Sequence, residues 1–454
     1  MSLRERLRRP WRHAPHGRVI TLSLPELLLL GFLTLSALGS LLLLLPIAAD
    51  HPLTWHQALF TAASAVTVTG LGVVNTASLT GFGQGVVLIL IQVGGLGFMT
   101  CAAMMMVLLG IRLPMHQKKL ISESLDHTSF QTLRQIVGLV MRFSLIAELS
   151  GTLLLAAAWV PEYGLAEGLW VSAFHAVSAF NNAGFSTWPD SLTHEVANPL
   201  VNAVISALFI IGGLGFLVIA ELMHRRPATQ LTLHTRIVLH ATTWLILIAM
   251  LALLALEWSN PATLGGLDGL GARLQAAWFH AVTPRTAGFN TLDTAAMSDP
   301  TTLLTMLWMF IGAGPGSTAS GIKVTTLVVL LLVARSFLRG EARPVAFERA
   351  LPDSTVMEAV AVALAGMLLI FCCLLTLTIT ESGQRFLDLA FESVSAFGTV
   401  GLSRGITAEL SIPGQLAIIV TMLLGRVGPI SLGYLMAKRT PRALGYAEGR
   451  VHVG

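Results

Sequence analysis

The chain has few charged residues and few cysteines for its length. Only 11% of its 454 residues are charged whereas 54% are hydrophobic, which excludes a soluble globular protein. Its cysteines, Cys101, Cys372 and Cys373, all lie within apolar stretches, so we expect them to pack as small residues and to form neither a disulfide nor a metal cluster. The sequence also lacks H-E-x-x-H, G-x-S-x-G and paired intramembrane aspartates, so it gives no support to an intramembrane enzyme.

Apolar stretches that could cross a bilayer recur from end to end. A spanning helix needs about 20 apolar residues, and eight stretches are near or above that length: 24–47, 80–110, 136–160, 198–223, 236–257, 300–338, 354–380 and 413–437. The arginines before the first stretch resemble those of a signal peptide. Its length and the lack of a small-residue cleavage site before Pro46 favour a retained helix. We therefore predict an all-α, multi-pass membrane protein.

Lysine and arginine are distributed unevenly over the connections between these stretches. Of 28 such residues, 21 lie before residue 20 or within 111–135, 224–236, 335–349 and 438–450. The positive-inside rule places those segments, and with them both termini, in the cytoplasm. The basic pI comes from these segments and is no argument for nucleic-acid binding.

The opposite side is acidic. It carries four arginines and thirteen acids, and an acidic entrance would concentrate cations and repel anions. The alternative is that the acids follow only from the positive-inside bias. They are Asp50, Glu162, Glu167, Asp190, Glu195, Glu257, Asp268, Asp293, Asp299, Glu381, Asp388, Glu392 and Glu409.

Four short segments that contain glycine are related to one another. They read T-V-T-G-L, N-N-A-G-F, R-T-A-G-F and G-T-V-G-L, and their glycines are 114, 104 and 113 positions apart. This spacing is typical of one membrane module repeated four times. Glycine permits the dihedrals that let consecutive carbonyls face an axis, and re-entrant backbone at membrane depth must be buried in protein or line a water-filled path. The sequence therefore predicts four loops around one pore.

Other repeated features support the module. G-G-L-G-F at 94–98 recurs at 212–216, with G-A-G-P-G at 312–316 and G-R-V-G-P at 425–429 at corresponding depth. Such glycines allow close helix packing or bending around a cavity, and we expect both. The F-H-A-V of the second pore helix also recurs in the third, one residue closer to the filter glycine, which predicts a tighter third loop.

With these motifs the chain resembles the Trk/Ktr/HKT superfamily of cation transporters, and most closely the membrane subunit of bacterial Ktr-type potassium uptake systems. The most specific motifs are I-G-A-G-P-G-S-T-A-S-G-I-K at 311–323 and G-R-V-G-P at 425–429. The resemblance covers nearly the whole chain. It implies an all-α integral membrane protein of four pseudo-symmetric repeats, each with an outer helix, a re-entrant pore helix with a filter loop, and an inner helix around a central pore.

The predicted organisation follows the repeats. It comprises a basic cytoplasmic amino terminus at 1–23, repeat 1 at 24–110, a cytoplasmic loop at 111–135, repeat 2 at 136–223, repeat 3 at 224–338, repeat 4 at 339–437 and a cytoplasmic tail at 438–454.

The resemblance assigns a potassium-selective filter to the four loops. In that family a serine at the first filter glycine goes with sodium-selective plant relatives, and here the residue is Gly70. Potassium would meet backbone oxygens, with no other metal site. The predicted filter residues are Thr67, Val68, Thr69, Gly70, Asn181, Asn182, Ala183, Gly184, Arg285, Thr286, Ala287, Gly288, Gly398, Thr399, Val400 and Gly401.

The segment 312–321 interrupts an apolar stretch with residues that disfavour helix, and in the family it is a movable gate. A simple helix break for packing is the alternative. The segment also resembles a nucleotide-binding P-loop, but the extra Ile322 and the lack of a preceding strand argue against that interpretation. The predicted gate residues are Gly312, Ala313, Gly314, Pro315, Gly316, Ser317, Thr318, Ala319, Ser320, Gly321 and Arg426.

Three basic residues near the filter and gate have predicted roles. The resemblance places Arg426 below the filter, where it would hydrogen-bond loop carbonyls and form a barrier to cations. We expect Lys323 to be an anchor that faces the cytoplasm, and Arg285 to support the third filter strand, paired with Glu392. His175 and His280 are expected to make polar contacts on pore helices.

The resemblance implies potassium uptake across the bacterial plasma membrane, with potassium as substrate and sodium as an activator. It also implies a homodimer and a cytoplasmic ring of nucleotide-binding regulatory subunits. The chain itself would be no enzyme and would bind no cofactor. A sodium-conducting relative and a secondary transporter coupled to ions or protons remain as alternatives.

Overall fold

The computed structural model describes residues 24–108, 129–223 and 231–428, with backbone alone at 24–25, 98–108 and 129–136. The predicted cytoplasmic segments 1–23 and 438–454, and most of 111–135, therefore lie outside the described residues.

Repeat 1 consists of the outer helix α1 (Leu24–Leu43), the pore helix α2 (Trp55–Val66) and the inner helix α3 (Gly81–Leu108). The side chain of Gln57 accepts a hydrogen bond from the backbone N–H of Thr54 at 3.0 Å, which helps to satisfy the start of α2. The rest of α2 is short, rich in alanine and buried. Such a helix, enclosed by protein, fits the predicted re-entrant element.

Repeat 2 has an inner helix that bends sharply. Its outer helix α4 (Ser129–Tyr163) and pore helix α5 (Leu165–Phe180) precede α6 (Pro199–Leu214) and α7 (Phe216–Met223), and α6 and α7 meet at 102°. The predicted span over 198–223 is thus present as two helices with a bend, which agrees with the bending expected of the glycine-rich inner helices. Gly215 between them has a φ of 93°, a conformation that ends a right-handed helix and that glycine tolerates.

Repeat 3 has a divided inner helix. The outer helix α8 (Leu233–Glu257) and pore helix α9 (Leu270–Val282) are followed by α10 (Asp299–Phe310), a non-helical segment, and α11 (Val324–Leu338). We call residues 311–323 the repeat-3 loop. The predicted interruption of this span by an irregular loop is confirmed.

Repeat 4 begins with a small hairpin in which β1 (Val345–Ala346) pairs antiparallel with β2 (Arg349–Ala350). It contains the outer helix α12 (Asp353–Thr380), the pore helix α13 (Phe386–Gly398) and the inner helix α14 (Ile412–Val427).

The outer helices have the length and composition of membrane spans. Among the described residues, four helices qualify, over Glu26–Leu43, Val137–Tyr163, Leu233–Glu257 and Asp353–Thr380, and the bent pair α6–α7 would be a fifth. No more than 33% of the residues in any of the four windows are buried, so these helices lie at the periphery, where lipid would contact them.

The buried core lies around the pore helices and joins neighbouring repeats. One hydrophobic cluster unites Phe60 of α2 and Val87 of α3 with Met422 of α14. A second unites Phe180 of α5 with Phe279 of α9. The repeats therefore share their cores, and the predicted arrangement of four repeats around one centre is confirmed.

Candidate functional site: a four-sided filter

The four loops after the pore helices share an unusual backbone. In each loop a residue other than glycine takes a left-handed conformation, and two positions later a glycine also has positive φ. A left-handed residue with a side chain costs about 1–2 kcal/mol, so a strained backbone at four equivalent positions indicates a function. The φ values are 56° at Val68, 59° at Asn182, 77° at Thr286 and 47° at Thr399, and 92°, 68°, 77° and 92° at Gly70, Gly184, Gly288 and Gly401.

The four glycines close a ring in chain order. A Cβ on Gly70 would lie 2.4 Å from the carbonyl oxygen of Ala183, and one on Gly184 would lie 2.8 Å from the Cα of Gly288. A Cβ on Gly288 would lie 2.4 Å from the oxygen of Val400.

The ring returns to repeat 1 through the last glycine, since a Cβ on Gly401 would lie 2.2 Å from the oxygen of Thr69. Both the dihedrals and the space at these positions therefore require glycine. The structure brings together backbone from all four loops predicted from the sequence.

Each loop is hydrogen-bonded to its own pore helix at the backbone carbonyl of a serine or threonine. No role for these residues was predicted from the sequence. The N–H groups of Thr69, Ala183 and Val400 donate to the carbonyl oxygens five residues earlier, at Ser64, Ser178 and Ser395, at 2.8, 2.8 and 2.9 Å. The signal was available, because each serine lies six positions before its filter glycine.

The third loop is tighter, as predicted. There the N–H of Ala287 donates to the oxygen of Thr283, four residues earlier, at 2.9 Å. The hydroxyl of Thr283 also donates to the oxygen of Phe289 at 2.5 Å.

The pore-helix histidines hold the chain that leaves the second and third filter loops, which confirms the polar contacts predicted for them. The ring of His175 contacts Val171 O at 2.8 Å and Ser186 Oγ at 3.0 Å. His280 Nε2 accepts from the N–H groups of Thr291 and Leu292 at 3.2 and 3.0 Å.

Glu392 has the same role in repeat 4, and its predicted pairing with Arg285 is wrong. Its carboxylate accepts hydrogen bonds from the hydroxyls of Ser403 and Thr407, which lie in the segment after the fourth loop. Arg285 is buried and donates to the hydroxyl of Thr242 in α8 at 3.3 Å. Arg285 therefore contacts a residue of repeat 3, and Glu392 contacts residues of repeat 4.

The repeat-3 loop closes on itself at its neck. The N–H of Gly312 donates to Ile322 O at 2.8 Å, and the N–H of Ile322 donates to Phe310 O at 3.2 Å. Ser317 and Thr318, near the tip of the loop, are fully buried.

The loop is also docked on the bend of repeat 2. The N–H of Gly314 donates to Gly213 O at 2.8 Å, and the N–H of Phe216 donates to Gly316 O at 3.1 Å. A Cβ on Gly215 would lie 2.4 Å from Pro315 O. The break between α6 and α7 therefore provides backbone groups and space for the loop.

Arg426 links the loop to repeats 4 and 1. It is 1% exposed, and its Nη1 donates to the carbonyl oxygen of Thr318 and, at 3.2 Å, to Ser320 Oγ. Its Nη2 donates to Gly94 O of α3 at 3.3 Å. The predicted hydrogen bond from Arg426 to a loop carbonyl is thus confirmed.

Lys323 lies at the end of the repeat-3 loop, and its Nζ donates to Ala319 O within the loop at 2.6 Å.

An open cavity of about 300 Å³ lies against the filter glycines. The segments that follow the filter loops form its wall, and its polar side chains include Asn75, Ser186 and Asn290. No acidic residue lines this cavity within the described part of the chain. The predicted acidic entrance does not extend to the filter itself.

Several of the predicted outer acids have structural roles. Glu257, at the end of α8, accepts from Ser298 Oγ at 2.6 Å, and Glu381 accepts from Ser411 Oγ. Ser298 and Ser411 directly precede the inner helices α10 and α14. These carboxylates thus fix the starts of two inner helices.

The remaining buried acids are also paired. Asp388 forms an ion pair with Arg404 at 2.6 Å, and Glu195 accepts from Trp159 Nε1 at 2.6 Å. Five of the thirteen acids are buried, so these five hold structure and do not face an entrance.

Comparisons with known proteins agree with the geometry. The chain matches the TrkH family, described as a cation transport protein, over residues 31–444. It is 46% identical to the Ktr system potassium uptake protein B of Bacillus subtilis, over 95% of this chain and 96% of that protein. It is 40% identical to the protein of the same name from Vibrio alginolyticus, over 95% of each chain. It is 35% identical to the potassium/sodium uptake protein NtpJ of Enterococcus hirae, over 93% of this chain and 94% of that one.

A solved structure shows the same fold. The crystal structure of the potassium transporter TrkH from Vibrio parahaemolyticus matches with a TM-score of 0.72 and 20% identity, over 93% of this chain and 87% of that one. The chain, with its four glycine loops and divided third inner helix, belongs to the TrkH family of cation transport proteins.

Proposed function

We propose that this protein takes up potassium through the four-sided filter. The observation that carries the proposal is the closed ring of Gly70, Gly184, Gly288 and Gly401, in which an added Cβ at each glycine would clash with the backbone of the next loop. The relatives named as potassium uptake proteins support it.

The chemistry of the loops suits a dehydrated monovalent cation. Hard cations prefer oxygen ligands, and backbone carbonyls can replace the water that such an ion loses on entry. The proposed ligands are the backbone oxygens of the four filter strands: Thr67 to Gly70, Asn181 to Gly184, Arg285 to Gly288 and Gly398 to Gly401. Because the strands differ in sequence, the sites along the axis are unequal on their four sides.

The repeat-3 loop and Arg426 are the proposed gate. The loop is irregular, and backbone hydrogen bonds at Gly213 and Phe216 together with the Arg426 guanidinium hold it. These hydrogen bonds must break before the loop can move. A buried positive charge beside the pathway would also raise the energy of a passing cation. Deletion of 313–319 should raise potassium flux, and an unchanged flux would contradict this assignment.

The chain is further proposed to act as a homodimer in the bacterial plasma membrane with cytoplasmic termini, under a cytoplasmic ring of nucleotide-binding subunits and with sodium as an activator. The resemblance to Ktr-type systems and the uneven distribution of Lys and Arg support this part. Pull-down of a regulatory subunit by the full chain, with and without nucleotide, tests the partner.

One observation favours a second candidate, a pore that also conducts sodium. A relative at 35% identity is named a potassium/sodium uptake protein. The test of the main proposal separates the two: expression in cells that lack potassium uptake should restore growth at low potassium, and sodium in the medium should not compete. Competition by equimolar sodium would favour the second candidate.

A further inference from the structure

A carboxylate in the middle of the second outer helix is buried. Glu148 of α4 is 5% exposed, whereas its neighbours Ile146 and Leu149 are 65% and 62% exposed. An ionisable group at membrane depth is costly and is retained where it has a partner or a function. Glu148 is absent from the filter and the gate as described above.

The carboxylate of Glu148 holds two amides from different repeats. Gln92 Nε2 of α3 donates to its two oxygens at 3.0 and 2.9 Å. Asn181 Nδ2 donates to Oε1 at 3.1 Å and also to Gln92 Oε1 at 2.8 Å. The three side chains form one network between repeats 1 and 2.

Asn181 connects this network to the filter. It is fully buried and directly precedes Asn182, the left-handed residue of the second filter loop. Its Oδ1 lies against α3, because a Cβ on Gly95 would approach that oxygen to 2.1 Å. The side chain is therefore fixed from two helices, and with it the backbone that leads to Ala183 and Gly184.

The residue at the position of Asn181 has different contacts in the other three repeats. The hydroxyl of Thr67 contacts Ala63 O and Thr69 Oγ1, both at 2.7 Å and both within its own pore helix and loop. Arg285 reaches Thr242, and Gly398 has no side chain. Among the described residues, the filter strand of repeat 2 is the one held by a carboxylate.

We propose that Glu148 is a positioning residue that fixes the filter strand of repeat 2 through Asn181 and thereby sets the preference of the filter for potassium over sodium. The inference rests on the proposed function. A filter distinguishes ions by the number, distance and rigidity of its oxygens, so a strand that loses its support changes selectivity before it changes the maximal rate.

The test is E148Q in the full-length chain, reconstituted in liposomes at equal protein. Glutamine has the same shape, but its NH₂ group would face the NH₂ group of Gln92 or Asn181, so one amide loses its acceptor. We expect the KM for potassium to rise and the potassium-to-sodium ratio to fall, each on the order of fivefold, while the maximal rate changes less than twofold. Glu358→Gln, an exposed glutamate of the outer helix α12, is the matched control and should match the unmodified chain.

The swap Q92E/E148Q separates positioning from general stability. Both positions accept from Asn181 Nδ2, so the swap keeps one carboxylate and one amide around it and should restore the selectivity ratio. If E148Q does not accumulate, the swap alone decides: a swap with a ratio like the unmodified chain supports the proposal, and a lower ratio overturns it.

Two other results for E148Q would overturn the inference: an unchanged KM and ratio, or a lower maximal rate with both unchanged. Loss of the proposed function is distinguishable, because the unmodified chain would then itself fail to transport potassium.

Discussion

The guanidinium of Arg426 donates a hydrogen bond to the carbonyl oxygen of Thr318. This contact joins the last inner helix to the repeat-3 loop through two residues 108 positions apart in the chain. The same side chain reaches Gly94 O in the first inner helix. One arginine thus connects three of the four repeats at the level of the proposed gate.

Replacing Arg426 should open the pore. Arg426→Ala removes the hydrogen bonds to Thr318, Ser320 and Gly94. A hydrogen bond from a charged group contributes about 1.5–3 kcal/mol, so we expect potassium flux into liposomes to rise tenfold or more, since about 1.4 kcal/mol shifts an equilibrium tenfold.

The control for this prediction is Arg385→Ala, because Arg385 is exposed and lies 3.7 Å from Asp299 at the surface. A folded Arg426→Ala protein with unchanged or reduced flux would contradict the role of this arginine in closing the pore.

A serine at the first filter glycine should impair selectivity. Gly70 has a φ of 92°, and a Cβ there would lie 2.4 Å from Ala183 O. Gly70→Ser must displace the second filter strand, so we expect the potassium-to-sodium flux ratio to fall on the order of tenfold or more.

Gly81→Ser in the same repeat is the matched substitution, because a Cβ at Gly81 meets no atom within 4 Å. Its flux ratio should equal that of the unmodified chain. Equal ratios for both variants would show that the ring does not select the ion.

The bend of repeat 2 can be tested at Gly215. Gly215→Ala places a Cβ 2.4 Å from Pro315 O in a left-handed conformation, which costs at least about 1–2 kcal/mol. Because the repeat-3 loop docks here, we expect a lower Tm together with increased potassium leak.

Gly31→Ala in α1, where a Cβ meets nothing within 4 Å, should change neither quantity. A lower Tm without any leak in Gly215→Ala would mean that the bend stabilises the fold without holding the loop closed.

The buried outer acids should affect stability more than ion binding. Glu257→Gln weakens the hydrogen bonds at the start of α10, and the loss of such a cap costs about 1 kcal/mol. We expect a Tm lower by a few degrees with an unchanged KM for potassium. Asp268→Asn, at an exposed position, should leave Tm unchanged. A raised KM in Glu257→Gln would restore the view that this acid attracts cations.

The filter and the loop were predictable from the sequence because both depend on local backbone chemistry. Four glycines at similar spacings and a run of Gly, Pro, Ser and Thr inside an apolar stretch leave few alternatives. The tighter third loop could likewise be predicted, because the separation of Phe279 from Gly288 is one residue shorter than the equivalent separation in repeat 2.

The side-chain partners were not predictable in the same way. Opposite charge suggested a pair between Arg285 and Glu392, yet Glu392 occupies the position of the pore-helix histidines and serves its own repeat. The bend at Gly215 depends on the repeat-3 loop, about 100 residues later. The network of Gln92, Glu148 and Asn181 joins three segments that are distant in the sequence. The periodicity of hydrophobic residues does not predict such contacts.

In the proposed function, the ring of four glycines selects potassium. Reversal potentials of the full-length chain in planar bilayers, under opposed potassium and sodium gradients, test it most directly. We predict a reversal potential close to the potassium equilibrium potential, shifted towards that of sodium in Gly70→Ser and unshifted in Gly81→Ser. A reversal potential near the sodium equilibrium potential, or one that Gly70→Ser does not move, would contradict the account.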